Sequence, residues 1–113
     1  MSLDLVAVGV DTPLYRQFDY LVPNSLLETL KPGMRVRVPF GRRRVVGMVL
    51  EKPRHDSGTA RAYKPIEEVL DTEPLLPDEL LKLLRWTADY YQHPLGEVIA
   101  AALPAPLRRG TKL

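Results

Sequence analysis

At 113 residues, 45% of them hydrophobic, the chain can bury one modest core and is too apolar for disorder to be the default. The absence of cysteine excludes a disulfide framework and a thiolate metal site, and fits a reducing compartment. No apolar run approaches the ~20 residues that span a bilayer, and the start, MSLDLVAVGVDTPL, has an early acid and no basic stretch, unlike a signal peptide.

Leu5 to Val10, LVAVGV, reads as a strand buried on both faces, broken at Gly9. Phe18 to Val22 is a second short strand, with Phe18, Tyr20 and Val22 on one face and Asp19 and Leu21 on the other. Asn24 to Leu30 forms one or two helical turns, capped by Asn24 or Ser25. Lys31-Pro32-Gly33 makes a type II turn.

Arg35 to Leu50, RVRVPFGRRRVVGMVL, then reads as a β-hairpin with a basic tip. Val36, Val38 and Phe40 alternate with Arg35 and Arg37, the pattern of a half-buried strand. Gly41 with Arg42, Arg43 and Arg44 makes the turn, and Val45 to Leu50 the return strand. His55 to Ala62 is a polar loop, and Tyr63 to Leu70 a strand that Pro65 places at an edge. Glu67, Glu68 and Asp71 read as surface charge.

After Asp71 the pattern becomes helical. Pro77, Asp78 and Glu79 start a helix whose apolar stripe runs through Leu80, Leu83, Leu84, Thr87 and Tyr91, widened by Leu81, Trp86 and Ala88. His93-Pro94 ends it, and Pro94 opens a second helix that stops at Pro104. The fold class is therefore α+β and mainly β: a small β-barrel or strongly bent sheet, about residues 4–70, followed by a helix pair, about 77–103. The ending LPAPLRRGTKL reads as the start of a linker over 106–113, so the chain looks like a fragment of a longer protein.

Charge is segregated. Residues 31–64 hold ten Lys or Arg against Glu51 and Asp56, a local +8 that leaves −6 elsewhere in a chain of net +2. Such a face meets something anionic, or merely solvates a loop. No Walker-type glycine loop, GxSxG or HExxH is present, and His55 and His93 are far apart, so no catalytic or metal site is expected.

Four stretches carry a family resemblance: FDYLVP at 18–23, PGMRVRVPFG at 32–41, VVGMVL at 45–50, and YKPIEEVLDTEPLL running on to LLRWTADYYQHPLGEVIAAALP. Together they resemble the N-terminal 3′-end DNA-binding domain of the bacterial replication-restart helicases of the PriA (primosomal protein N′) family. The resemblance covers nearly the whole chain, residues 1–105. It implies a non-enzymatic module that holds the free 3′-OH end of the nascent leading strand at stalled forks, without regard to sequence. By motif match it implies that Phe18, Asp19, Gly41 and Lys64 form the pocket, Lys64 being the loosest match. It also implies a bacterial, cytoplasmic, nucleoid-associated monomer, with single-strand-binding protein and other primosome proteins as partners. No cofactor belongs to this segment; ATP, magnesium and zinc belong to the helicase regions of such a protein.

The residue chemistry agrees. A carboxylate such as Asp19 repels phosphate but accepts a strong hydrogen bond from a hydroxyl, so it favours an end over an internal nucleotide. Gly41 lets the backbone approach closely, and Lys64 offers a point charge. Phe18 offers a ring, or backbone contacts beside it. Arg42, Arg43 and Arg44 lie outside the pocket and contact phosphates. The plainer readings are that Asp19 pairs with Arg16, Gly41 is a turn glycine and Phe18 is core. The competing function is a protein-interaction module whose basic hairpin docks an acidic partner segment. A generic single-strand binder fits poorly, because Trp86, Tyr90 and Tyr91 lie in the helical half.

Overall fold

The longest strand, β1 (Ser2–Val10), feeds two separate cores. The computed structural model describes residues 2–113. Val6, Val8 and Val10 point to one face, with Tyr20, Val22, Val36, Val38, Val49 and Ile66; Ala7 points to the other, with Met48, Leu50, Leu76, Leu81, Ile99 and Leu103. Burial on both faces explains the unbroken apolar run, each large side chain contributing about 1.5–3 kcal/mol. The strand continues through Gly9 rather than breaking there.

β2 (Phe18–Leu21), β3 (Arg35–Phe40), β4 (Arg43–Val49), β5 (Arg54–Ser57) and β6 (Glu68–Val69) complete an antiparallel sheet of order β2-β1-β4-β3-β6. β5 pairs with the first half of β1 and β4 with its second half. Residues 55–57, the start of the loop expected over His55 to Ala62, thus belong to a strand. The sheet is open and not a closed barrel. Residues 64–70 cross the opening: Leu21 N–H donates to Lys64 C=O (2.9 Å) and Ile66 N–H to Leu21 C=O (3.1 Å). Glu67 and Leu70 N–H donate to the Arg37 and Arg35 carbonyls (3.0 and 2.9 Å). This change of partner, with no donor on Pro65, cuts the expected strand over 63–70 to two residues. Asn24–Leu26 is a single 3₁₀ turn without a side-chain cap.

Three helices cover the second core: α1 (Asp78–Tyr91), α2 (Leu95–Ala102) and α3 (Ala105–Arg108). α1 buries Leu81 and Ala88 and half-buries Leu84, a stripe rotated from the one expected; Leu83, Trp86, Tyr90 and Tyr91 are exposed. α2 lies directly on β1, because Gly96 has no side chain: a Cβ there would sit 1.7 Å from the Val10 carbonyl oxygen. The third helix occupies residues that read as linker in the sequence; its Leu107 packs on the second core.

Arg35 is the main departure from the sequence pattern. It was expected on an exposed basic face and is fully buried. Its Nε and Nη2 donate to Asp71 Oδ2 and Oδ1 (3.0 and 2.7 Å), and its backbone N–H donates to Oδ2 (2.8 Å). Its Nη1 donates to the carbonyls of Leu107 and Thr111 (2.8 and 2.9 Å). Asp71, read as surface charge, is buried with it. Burial alone would raise the Asp71 pKa, but the hydrogen bonds from Arg35 outweigh it and hold the carboxyl below its ordinary range.

Removing one partner of a buried pair leaves an uncompensated charge, so Asp71→Ala is expected to cost about 3–5 kcal/mol in chemical denaturation. A loss below ~1 kcal/mol would show a solvated pair. Because the folded pKa is depressed, the pair stabilises fully above the unfolded carboxyl pKa of ~3.9 and progressively less as pH falls below it. Acid unfolding of the parent, with this component missing in Asp71→Ala, checks the sign.

Candidate nucleic-acid interface

An open pocket lies where the start of β2 faces the tip of the β3–β4 hairpin, with residues 62–64 along one side. Phe18, Asp19, Gly41 and Lys64 all line it. Residues distant in sequence meet here because Tyr20 fastens β2 to β3. Its hydroxyl donates to the Pro39 carbonyl at 2.7 Å, and burial pushes the phenol pKa up, keeping it a neutral donor.

Phe18 forms the apolar floor. Its ring meets Phe40 edge to face, 5.0 Å between centroids, and the Arg16 guanidinium lies 4.7 Å above it. The ring is thus held from two sides, which favours a packing role over a free stacking platform.

Asp19 sits on the opposite face of β2, as the alternation predicts. It pairs not with Arg16 but with Arg54, whose Nη1 and Nη2 donate to Oδ1 and Oδ2 at 3.3 and 3.0 Å. That pair pushes the Arg54 pKa further up. The register explains the meeting: Asp19 lies opposite Ala7 and Arg54 opposite Leu5, on one face of β1 and across it from each other. A carboxylate has about four acceptor positions, so Asp19 can still accept from a ligand hydroxyl while Arg54 holds its orientation.

The backbone adds to the site. Ala7 C=O accepts from Leu50 N–H, away from β2, so Ala7 and Asp19 form a non-hydrogen-bonded pair. The N–H and C=O of Asp19 therefore point out from the sheet edge beside the pocket. Two residues further on, Leu21 uses the same edge to bind Lys64 and Ile66.

Gly41 begins a two-residue turn, Gly41-Arg42, with Phe40 paired to Arg43. Its φ of +63° at the first central position is that of a type II′ hairpin, which calls for glycine. A Cβ there would meet no atom within 4 Å, so the backbone and not local crowding demands glycine. Lys64 Nζ lies 3.4 Å from the Gly41 carbonyl oxygen, at the pocket mouth.

Arg42, Arg43 and Arg44 are exposed and outside the pocket lining. Only Arg42 belongs to the turn; Arg43 and Arg44 open the return strand, and Arg44 pairs with Glu67. Arg54 is the site residue missed in the sequence, where HDSG marks a loop tip and nothing local marks a strand. Its signal is long-range: only the pairing of β5 with β1 brings it to Asp19.

The family of PriA 3′ DNA-binding domains (3′BD) matches residues 7–104 of the chain. The chain is 40% identical over 108 residues to the replication restart protein PriA of Haemophilus influenzae and 36% identical over 109 residues to that of Bacillus subtilis, 96% of this chain in each case. It is 39% identical over 92 residues, 81% of the chain, to the probable replication restart protein PriA of Mycobacterium tuberculosis. It spans 14% of the length of each of these relatives. Among the described residues, no helix is long and apolar enough to cross a membrane.

The turn geometry predicts that Gly41→Ala lowers stability by about 1–2 kcal/mol through the left-handed backbone alone. Thermal unfolding measures it; an unchanged midpoint would mean that the turn readily takes another form.

Proposed function

The chain belongs to the PriA 3′ DNA-binding-domain family, and on that membership together with the pocket chemistry we propose that it captures the free 3′-OH end of DNA. The ligand is the terminal nucleotide of the nascent leading strand at a stalled fork. The observation that carries the reading is Asp19: an oriented carboxylate in a pocket whose polar walls include Arg16, Lys64, the Gly41 turn and an open strand edge. A terminal hydroxyl gives Asp19 a donor. An internal nucleotide, or a 3′-phosphate, brings an anion to it with no donor between.

Lys64 and Arg16 attract the phosphate preceding the end. Gly41 and the Asp19 main chain lie beside the sugar and base, so recognition is independent of sequence. Phe18 supports the floor. Arg42, Arg43 and Arg44 contact phosphates outside the pocket and supply affinity rather than end selection.

In the longer protein this module would serve a bacterial replication-restart helicase, working as a monomer at the nucleoid in the cytoplasm with single-strand-binding and primosome proteins. ATP, magnesium and zinc would serve the other regions of that protein, and this segment is assigned no cofactor and no catalysis.

Fluorescence anisotropy of short oligonucleotides ending in 3′-OH or 3′-phosphate tests the proposal. A hydrogen bond to a charged group contributes about 1.5–3 kcal/mol, so the expected preference for 3′-OH is about 10- to 100-fold, abolished in Asp19→Ala. Absolute affinity will be weak, since one nucleotide offers few contacts. Equal binding to both ends would indicate a generic single-strand binder, and no binding at low salt an acidic protein partner. Replacing Arg42, Arg43 and Arg44 together by alanine should weaken binding and flatten its salt dependence by about 0.9 per duplex phosphate no longer neutralised, with end preference kept. Loss of end preference at full affinity would overturn that division of labour.

A further inference from the structure

On the outer side of the hairpin, away from the end pocket, a groove runs between β3–β4 and the end of α3. Its charged walls are Arg37, Arg43 and Arg44 from the hairpin and Arg108 and Arg109 from α3, against one acid, Asp11. Arg37 and Arg44 fall on the outer face because Arg37 pairs with Val46 and Arg44 with Pro39 in the ladder, in phase with Met48 of the helical core. Arg108 and Arg109 reach them because Arg35 holds the Leu107 and Thr111 carbonyls from beneath.

The charge is only partly answered. Glu68 serves Arg37 and Lys112, and Glu67 serves Arg44, whereas Arg43, Arg108 and Arg109 have no carboxylate partner among the described residues. Arg43, Arg108 and Arg109 are exposed.

We propose that this arginine groove is a second DNA contact that grips the phosphate backbone of a duplex, independently of any strand end. Three features favour duplex backbone. The basic lining is all arginine, whose planar fork matches phosphate oxygens. No aromatic side chain lines the groove, so it has no platform for unpaired bases. The groove also shares its hairpin with the end pocket, so a duplex lying here runs past the tip that bounds the site of the terminal nucleotide. The proposal extends the phosphate role of Arg43 and Arg44; only its third feature rests on the 3′-end reading, and the lining chemistry stands without it.

A covalently closed dumbbell duplex has no 3′ end and isolates the groove. Anisotropy across a salt series is expected to show binding whose log–log slope flattens by about 0.9 for each phosphate that a variant leaves unneutralised. That is up to about 1.8 for Arg108→Gln with Arg109→Gln. Arg43→Gln on the opposite wall should move the slope the same way. The double lysine replacement at 108 and 109 should restore the slope, which separates charge from any effect on folding. Preference for 3′-OH over 3′-phosphate on single strands should stay unchanged in the Arg108 and Arg109 variants. A dumbbell slope identical in parent and glutamine variants would overturn the proposal. So would binding of a polyglutamate peptide with none of the dumbbell, which would assign the groove to an acidic protein.

Discussion

The buried guanidinium of Arg35 is the constraint from which the arrangement of the other parts follows. An arginine out of water is tolerated only when its charge is matched and its donors are satisfied. Here the match is Asp71, and the remaining donors reach carbonyls more than seventy positions along the chain. One side chain thus binds the base of β3, the segment after β6 and the turn after α3. The hairpin base is fixed against the body, so its tip, with Gly41 and the arginines, is set on a rigid support. Such pairs are poor sources of net stability but are costly to break, which suits a fastening role.

That support presents two surfaces of different chemistry from one hairpin. The side facing β2 holds an acid, a glycine turn and a lysine around an apolar floor. The outer side holds arginines. Positive charge attracts any nucleic acid and falls off with ionic strength over a Debye length of about 8–10 Å. It does not tell an end from an interior. Discrimination requires a group that penalises the wrong ligand, and a carboxylate oriented by Arg54 has that property. Arg54 and Asp19 nearly cancel in net charge, so the pocket proposed to choose the end is not the most basic part of the molecule.

Much of this was legible in the residues. Alternation put Phe18 and Tyr20 on one face of β2 and Asp19 on the other, and the β1 run announced a strand with two buried faces. The four pocket residues, proposed from motif match, do line one cavity. The unread parts depend on partners distant in the chain. Arg35 has the phase of an outward residue and is one; what period-2 patterning cannot say is that α3 and Asp71 cover that outer face. The 106–113 segment looked like a linker for the same reason, since its docking rests on bonds from Arg35. Arg54 escaped because an edge strand of polar residues, RHDS, has no apolar signal. The stripe on α1 was misplaced because leucines and aromatics fill more than one face, leaving Trp86 and Tyr90 stacked on the exposed side.

The most direct measurement of end capture is a nuclear magnetic resonance titration of the isotope-labelled chain with a short single strand, once with a 3′-OH and once with a 3′-phosphate. With the hydroxyl end, the backbone amides of Asp19, Gly41 and Lys64 are expected to shift together and saturate at one concentration. With the phosphate end, those three should stay largely still. Equal shifts at the three amides with both ends, or shifts confined to other surfaces, would contradict capture of the 3′ end by this pocket.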